Sequence, residues 1–358
     1  MAIVRELFPD EAAAQASATN VNRAVEASTN DALNYFNNGM ASLDKMIVGE
    51  EAAKRAILTG IIIERPVVLA GPPAGGKSSV MHESWRLIAG VNEEDIARIP
   101  GEHDIQAIQL VGGVIPSVQE ITEGNGDTHT VRKLTRVEGM VKPTTKIVMA
   151  EELTRLSPEA ANALLPIAES RRLETSEGHV DIPDLALMIA AVNASENRQA
   201  TFNLSDAMIS RFTLGAIMGR KGTREERLNK IGLVLAHKEA AHDLDSIQPI
   251  VNSAQRKAIK AYADATAISD TTRSKIMEVA LNTNDLFQSH GIEEADTRIP
   301  LHIMAIAKAL GSFRTEQRIV RDEDIADATH SIISARFGSK KRTADLDIDD
   351  LTKTVTNL

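Results

Sequence analysis

Apolar residues fall along this chain in two rhythms. In its first part they come as short unbroken runs, Val67-Val68-Leu69-Ala70, Ile147-Val148-Met149-Ala150 and Leu185–Val192, with Ala97-Arg98-Ile99 as a shorter fourth. Continuous runs of this kind, closed by turn residues, fit strands buried on both faces better than strands with one wet side. Between them the pattern turns helical, over Ser79–Leu87 and again from Ser157, where Ser157 offers an N-cap and Pro158 the first helical position. Pro166 lies inside that second helix and removes a backbone donor, which predicts a kink or an early stop. Strands alternating with helices predict an α/β core on a parallel sheet covered on both faces.

Two segments interrupt the alternation. Residues 114–131 hold Gly124-Asn125-Gly126-Asp127 between strand-like flanks, a hairpin signal, and 172–183 carry a second turn at Ser176-Glu177-Gly178. Hairpins inserted here project from the sheet and are available to partners. From Arg224 onward the strand rhythm fades. Helical stretches recur near 224–244, 252–267, 271–289, 298–312 and 322–336, the last with Asp322 as N-cap and Glu323 and Asp324 in its first turn. The expected division is a helical leader over 1–45 (helical around Val21–Met40), an α/β core over 46–220, a smaller all-α domain over 221–338 and a polar tail over 339–358.

Composition narrows the class. The 358 residues are 43% hydrophobic and 25% charged, an ordinary globular balance. No apolar run approaches the ~18–20 residues a membrane helix needs, and the N-terminal stretch lacks the pattern of a signal peptide. Without cysteine, disulfides and thiolate metal sites are excluded. These features together predict a cytoplasmic protein. The formal net charge is −10 and aromatics make up 3%, so both a basic footprint and stacking platforms for single strands are scarce. Protein partners are favoured over nucleic acid.

The chemistry lies where the first apolar run ends. Gly71-Pro72-Pro73-Ala74-Gly75-Gly76-Lys77-Ser78 fits the pattern G-x-x-x-x-G-K-[ST], with a strand before it and a helix, opening on Ser79, after it. Glycines let the backbone wrap closely round phosphate oxygens, and the amides of the loop and first helical turn donate to the anion. Lys77 is expected to reach the β- and γ-phosphates of ATP, and the Ser78 hydroxyl to ligate Mg2+. The run Ile147-Val148-Met149-Ala150 is followed by Glu151-Glu152. Successive side chains of a strand alternate, so one carboxylate suits the metal shell while the other orients a water.

The block AEELTRLSPEAANALLPIAESRRLE resembles the Walker B region of MoxR-type AAA+ ATPases, and the resemblance runs from about Ile47 to Phe337. It implies an AAA+ P-loop core, an αβα sandwich, followed by a smaller all-α lid. It puts Glu152 on the catalytic glutamate. Glu151 falls on the metal-shell position that usually holds aspartate, a departure that bears on the hydrolysis rate. Ile47-Val48-Gly49-Glu50 resembles the segment that contacts adenine, and Asn193 falls on the sensor-1 residue. Arg211, in Leu204–Phe212, falls on the arginine finger, and Arg298, in Asp296-Thr297-Arg298-Ile299-Pro300, on the sensor-2 arginine. The two hairpins resemble the helix-2 insert and the pre-sensor-1 hairpin of the same clade. The resemblance further implies a homo-oligomeric ring, usually a hexamer, acting as a chaperone on a protein client, with a von Willebrand factor A domain partner supplied in trans.

His237-Lys-Glu-Ala-Ala-His242 spaces its histidines by five and so misses the four-residue spacing of a zincin helix, and no G-x-S-x-G nucleophile appears. Two readings stand beside ATP-driven remodelling of a protein. One is a nucleic-acid motor of the MCM-like branch, which needs basic hairpin tips. Here Glu120, Glu123 and Asp127 face Arg132 and Lys133, and the second hairpin is similarly mixed. The other is a nucleotide-binding structural ring with weak hydrolysis, which draws on Glu151.

Overall fold

The computed structural model describes residues 30–122, 128–193, 202, 204–219, 224–239, 244–293, 297–314, 317–339 and 346–357. Five strands form a wholly parallel sheet: β1 (Val67–Ala70), β2 (Ile96–Ile99), β5 (Ile147–Ala150), β8 (Leu187–Val192) and β9 (Leu214–Ile217), in the order β2-β5-β8-β1-β9. The unbroken apolar runs follow from burial on both faces. Val67, Leu69, Ile147, Met149, Ile189 and Ala191 enter one core, while Val68, Val148, Ala150, Met188, Ala190 and Val192 enter the other. β9 is a short fifth strand, following Phe212, beyond the four apolar runs.

On the first face lie α1 (30–44), α2 (Glu51–Ile63) and α3 (Lys77–Glu83). The second face carries α4 (Ala107–Val111), α5 (Pro158–Ala163), α6 (Leu165–Ser170) and α7 (Asp206–Arg211). Two hairpins stand off the sheet, β3 (Gly113–Thr122) with β4 (Thr128–Val137), and β6 (Arg172–Thr175) with β7 (Gly178–Asp181). The turn of the second meets the base of the first: the Val114 amide donates to Ser176 Oγ at 3.1 Å and Arg136 pairs with Glu177 at 3.2 Å. The turn at 124–127 lies outside the described residues. The remaining helices are α8 (Arg224–Glu239), α9 (Ser253–Asp264), α10 (Asp270–Ser289), α11 (Arg298–Arg314), α12 (Asp322–Gly338) and α13 (Ile348–Thr356).

Local expectations meet local physics. Ser157 caps α5 by accepting from the Ala160 amide at 3.2 Å. Pro166 stops that helix early, so that α5 and α6 meet at Leu164 rather than running on. Ser79–Leu87 divides into the end of α3 and a 3₁₀ turn over Ser84–Leu87. Asp322 is not the cap of α12: Arg321 holds the extended capping conformation, and Asp324 reaches back to accept its amide at 2.9 Å.

The first and last described segments, 30–44 and 346–357, are built into the core. The expected helix around Val21–Met40 is described from residue 30 and runs to 44, later than the pattern suggested. Its Ala32, Tyr35 and Leu43 are buried, Tyr35 donates its hydroxyl to the Leu58 carbonyl at 2.7 Å, and Phe36 stacks on Phe313. Within the tail, α13 is capped by Asp347 and buries Ile348 and Val355. The last long helix does not stand apart from the sheet. A Cβ on Gly215 would lie 2.5 Å from Ala335 Cα, so glycine lets α12 lie directly on β9. Ser331 Oγ accepts from the Gly215 amide and donates to its carbonyl, both at 3.1 Å, which covers the edge strand. Fully buried Arg336 donates to the carbonyls of Phe212 at 2.6 Å and Ser210 at 3.2 Å.

Candidate nucleotide site

Four parallel strands deliver their last residues to one edge of the sheet. β1 leads into the loop Gly71–Gly76, β5 into Glu151 and Glu152, β8 into Asn193, and β2 into Gly101. The loop is pinned at its root: the Gly71 amide donates to the Val192 carbonyl at 3.2 Å and the Met218 amide to the Ala70 carbonyl at 2.8 Å. Gly71 is obligatory, since its φ is 148° and a Cβ would lie 2.3 Å from the Met218 carbonyl oxygen. Gly76, at φ 84°, turns the chain into α3 beneath the Ile47 side chain. Ala74 takes a left-handed conformation, φ 62°, that costs a residue with a Cβ about 1–2 kcal/mol.

Buried Lys77 donates from Nζ to the carbonyls of Gly71 at 2.9 Å and Pro72 at 2.6 Å, so its ammonium lies within the loop. Pro72, Pro73, Ala74, Ser78 and Ser79 are exposed and Gly75 half-buried, which leaves the cradle open to a ligand. Ile47 packs over Gly76, half-buried Val48 follows it, and Glu50 accepts the Gly219 amide at 3.0 Å. Residues 47–50 therefore flank the loop together with the segment after β9.

The paired carboxylates diverge, as alternation requires. Glu152 sits in a left-handed conformation at φ 40°, which turns the chain sharply at the strand end. Its Oε1 accepts from Asn193 Nδ2 at 3.1 Å and its Oε2 is ion-paired with Arg155. Glu151 turns instead toward α3, where its Oε1 is 2.5 Å from His82 Nε2. Gly101 makes room for both acids, since a Cβ there would lie 2.7 Å from the Glu151 carbonyl oxygen and 2.7 Å from Glu152 Cβ. Motif reading missed His82 and Gly101. Their signal is contact between distant segments, which spacing does not carry.

Arg211 and Arg298 are elsewhere. Arg211 ends α7, three residues ahead of β9, and β9 runs parallel to β1 toward the loop. The arginine therefore lies at the opposite edge of the sheet, roughly 10 Å or more from the loop at ~3.3 Å per strand residue. Arg298, at the start of α11, joins it there. Both converge on Ser210 and Glu169: Arg211 Nη2 lies 3.1 Å from Glu169 Oε2, Arg298 Nη2 lies 3.8 Å from Glu169 Oε1, and Arg298 Nη1 donates to Ser210 Oγ at 2.9 Å. Arg155, the next arginine to consider for the finger role, is tied to Glu152 of its own chain, and Arg198 lies outside the described residues.

The donors near the loop suit Mg2+. Ser78 and Glu151 offer hard oxygen ligands, and no cluster of three or more His, Cys, Asp or Glu able to hold a metal by itself occurs among the described residues. Mg2+ in triphosphate sites usually takes one or two protein oxygens and completes its shell with phosphate and water. No described helix is long and apolar enough to cross a membrane.

Residues 66–212 match the AAA domain family of the dynein-related subfamily. The structural protein ORF618 of Acidianus two-tailed virus is 24% identical over 174 residues, 48% of this chain and 26% of that protein. The negative regulator of genetic competence ClpC/MecB of Bacillus subtilis is 25% identical over 68% of this chain and 31% of its own length. The uncharacterized protein YeaC of the same organism is 23% identical over 67% of this chain and 68% of its own. The chain thus spans about a quarter to a third of the first two relatives. The crystal structure of a candidate ATPase from Cytophaga hutchinsonii superposes with a TM-score of 0.66 at 19% identity, covering 93% of this chain and 97% of that one. Residues 66–212 thus match an AAA domain, and the sheet order and phosphate loop place it on the fold shared with that ATPase structure.

Proposed function

We propose that copies of this chain assemble into a ring, a hexamer in keeping with the family, in which ATP hydrolysis at subunit boundaries remodels a protein client. The observation that carries this reading is the meeting of Arg211 and Arg298 around Glu169, at the sheet edge away from the chain's own phosphate loop. An always-charged guanidinium with a rigid donor fork suits the spread charge of a phosphoryl-transfer transition state. Two such groups held side by side have that work to do at a neighbour's nucleotide. This departs from a sensor-2 arginine that closes over its own subunit's ATP.

The proposed division of labour draws on the geometry of the site. Loop amides and Lys77 hold the triphosphate. Ser78 and Glu151 would hold Mg2+, which would offset phosphate charge. Glu152, oriented by Asn193, accepts a proton from the attacking water. The joined hairpins reach the client, either directly or through a von Willebrand factor A domain partner in the cytoplasm. A ring that binds nucleotide but turns it over slowly is the second reading. It draws on Glu151 being tied to His82, and on one relative being named a structural protein.

Mixing subunits tests the assembly. Lys77→Ala and Arg211→Ala are each expected to be inactive alone, the latter by a loss of about 10³–10⁵-fold in rate. Some boundaries in a mixed ring pair an intact loop with an intact finger, so activity returns. If subunits exchange and none returns, the trans role of Arg211 falls. Weak turnover in the wild-type ring, whether DNA or client is added, would favour the structural reading.

A further inference from the structure

His82 lies on α3 four residues beyond Ser78, so the two side chains share one face of the helix. Across from them Glu151 directly follows β5, and its Oε1 takes the hydrogen bond from His82 Nε2 at 2.5 Å. An ionised carboxylate only accepts, so the imidazole donates from Nε2–H. Neither ring nor carboxylate is deeply buried, both being 37% exposed. Ser78 itself is exposed at the rim of the cradle. Helix spacing and the His82–Glu151 hydrogen bond thus bring the hydroxyl, the imidazole and the longer-than-usual carboxylate to one corner between the phosphate loop and the end of β5, two strands away.

Glutamate carries one methylene more than aspartate. A carboxylate at the strand end with that extra bond has an additional rotor, and a hydrogen bond that fixes one of its oxygens removes this freedom. We infer that His82 is a positioning residue for Mg2+: it clamps Oε1 of Glu151 so that Oε2 is presented to the metal shell beside Ser78, which adapts the site to glutamate. This rests on the nucleotide site proposed above, and it assigns work to a residue that lies outside the phosphate-loop motif. Hydrogen-bond partners that orient metal ligands typically matter about 10–100-fold in metal affinity.

The test measures Mg2+ affinity in the nucleotide complex, by titrating Mg2+ into full-length protein bound to a fluorescent ATP analogue, with affinity for the analogue in EDTA as a control. His82→Ala and His82→Asn are expected to need roughly tenfold more Mg2+. His82→Gln should stay within about twofold of wild type, because its amide reaches the place of Nε2 while that of asparagine does not. In a Glu151→Asp background the shorter carboxylate withdraws from the ring, so His82→Ala should add less than about twofold. Affinity in EDTA should be the same in every His82 variant. Equal loss in His82→Gln and His82→Asn, or unchanged Mg2+ affinity in His82→Ala, overturns the inference. So does an undiminished effect of His82→Ala in the Glu151→Asp background. Failure of the site itself shows differently, as unaltered affinity for the analogue in Lys77→Ala.

Discussion

Asn193 Nδ2 donates to Glu152 Oε1 at 3.1 Å, joining the ends of two adjacent parallel strands, β8 and β5. With Arg155 on the other oxygen, the carboxylate is held from both sides at a backbone position that is itself strained. Such fixing suits a group that must meet a water at one angle.

Glu152→Gln should leave ATP affinity near wild type and cut single-site turnover by about 10²–10⁴-fold, the usual contribution of a general base. It should also accumulate the ATP-bound oligomer. Phosphate release under saturating ATP measures this. If Glu151→Gln stops turnover while Glu152→Gln leaves it intact, the two carboxylates have exchanged roles.

Lys77→Ala should lose tight ATP binding. The buried ammonium sits among the Gly71 and Pro72 carbonyls, and without it the loop offers amides alone to a multiply charged ligand. Equilibrium binding of a labelled nucleotide decides, and wild-type affinity would remove the loop from the site.

Arg298→Ala should behave like Arg211→Ala, since both side chains meet at Ser210 and Glu169. Its affinity for ATP should hold, turnover should drop by roughly 10²-fold or more, and mixing with Lys77→Ala should restore activity. A fall in nucleotide affinity with no rescue on mixing would instead assign Arg298 to its own subunit's nucleotide.

Ala74→Gly should stabilise the apo protein by about 1 kcal/mol, because φ 62° is strained for alanine and free for glycine. Part of that gain is offset by the freer glycine in the unfolded chain. Chemical denaturation midpoints report the net change, and a lower midpoint in the glycine variant would show that no strain is stored there.

His302 gives stability a pH dependence. Burial first, then the charges of Arg336, Arg65 and Arg298, hold its imidazole down at about 3. Above pH ~6.5, the unfolded value, neither state carries the proton and the residue is neutral to stability. As pH falls from there toward about 3, the unfolded chain takes the proton and the folded chain refuses it. Stability is then lost at up to ~1.4 kcal/mol per pH unit. Urea midpoints at pH 7.5 and pH 5 should converge in His302→Gln relative to wild type, and parallel shifts in both proteins would place the sensitivity elsewhere.

Much of the sheet was legible because burial on both faces writes strands as plain apolar runs, and the phosphate loop because its chemistry fixes residue types at fixed spacing. β9 is a weaker apolar run because Leu214-Gly215-Ala216-Ile217 spends its middle on small residues that admit α12. α13 escaped for a different reason. Its core side chains, Ile348 and Val355, are diluted by acids and threonines that read as polar tail. The partners of the site residues were further out of reach. His82 meets Glu151 across 69 residues and Glu169 meets Arg211 across 42, and pairings of that length are made by the fold rather than by any local pattern.

The cover on β9 sets a clock for synthesis. Gly215 is sealed by Ser331, 116 residues later in the chain, which at ~5–20 residues per second leaves the strand waiting about 6–23 s on the ribosome. Over that interval a growing chain carries an open β edge, and polysomes bring identical open edges close together. Chains that stop short of Ser331 keep the edge permanently, and for them pairing with one another is the path that satisfies it.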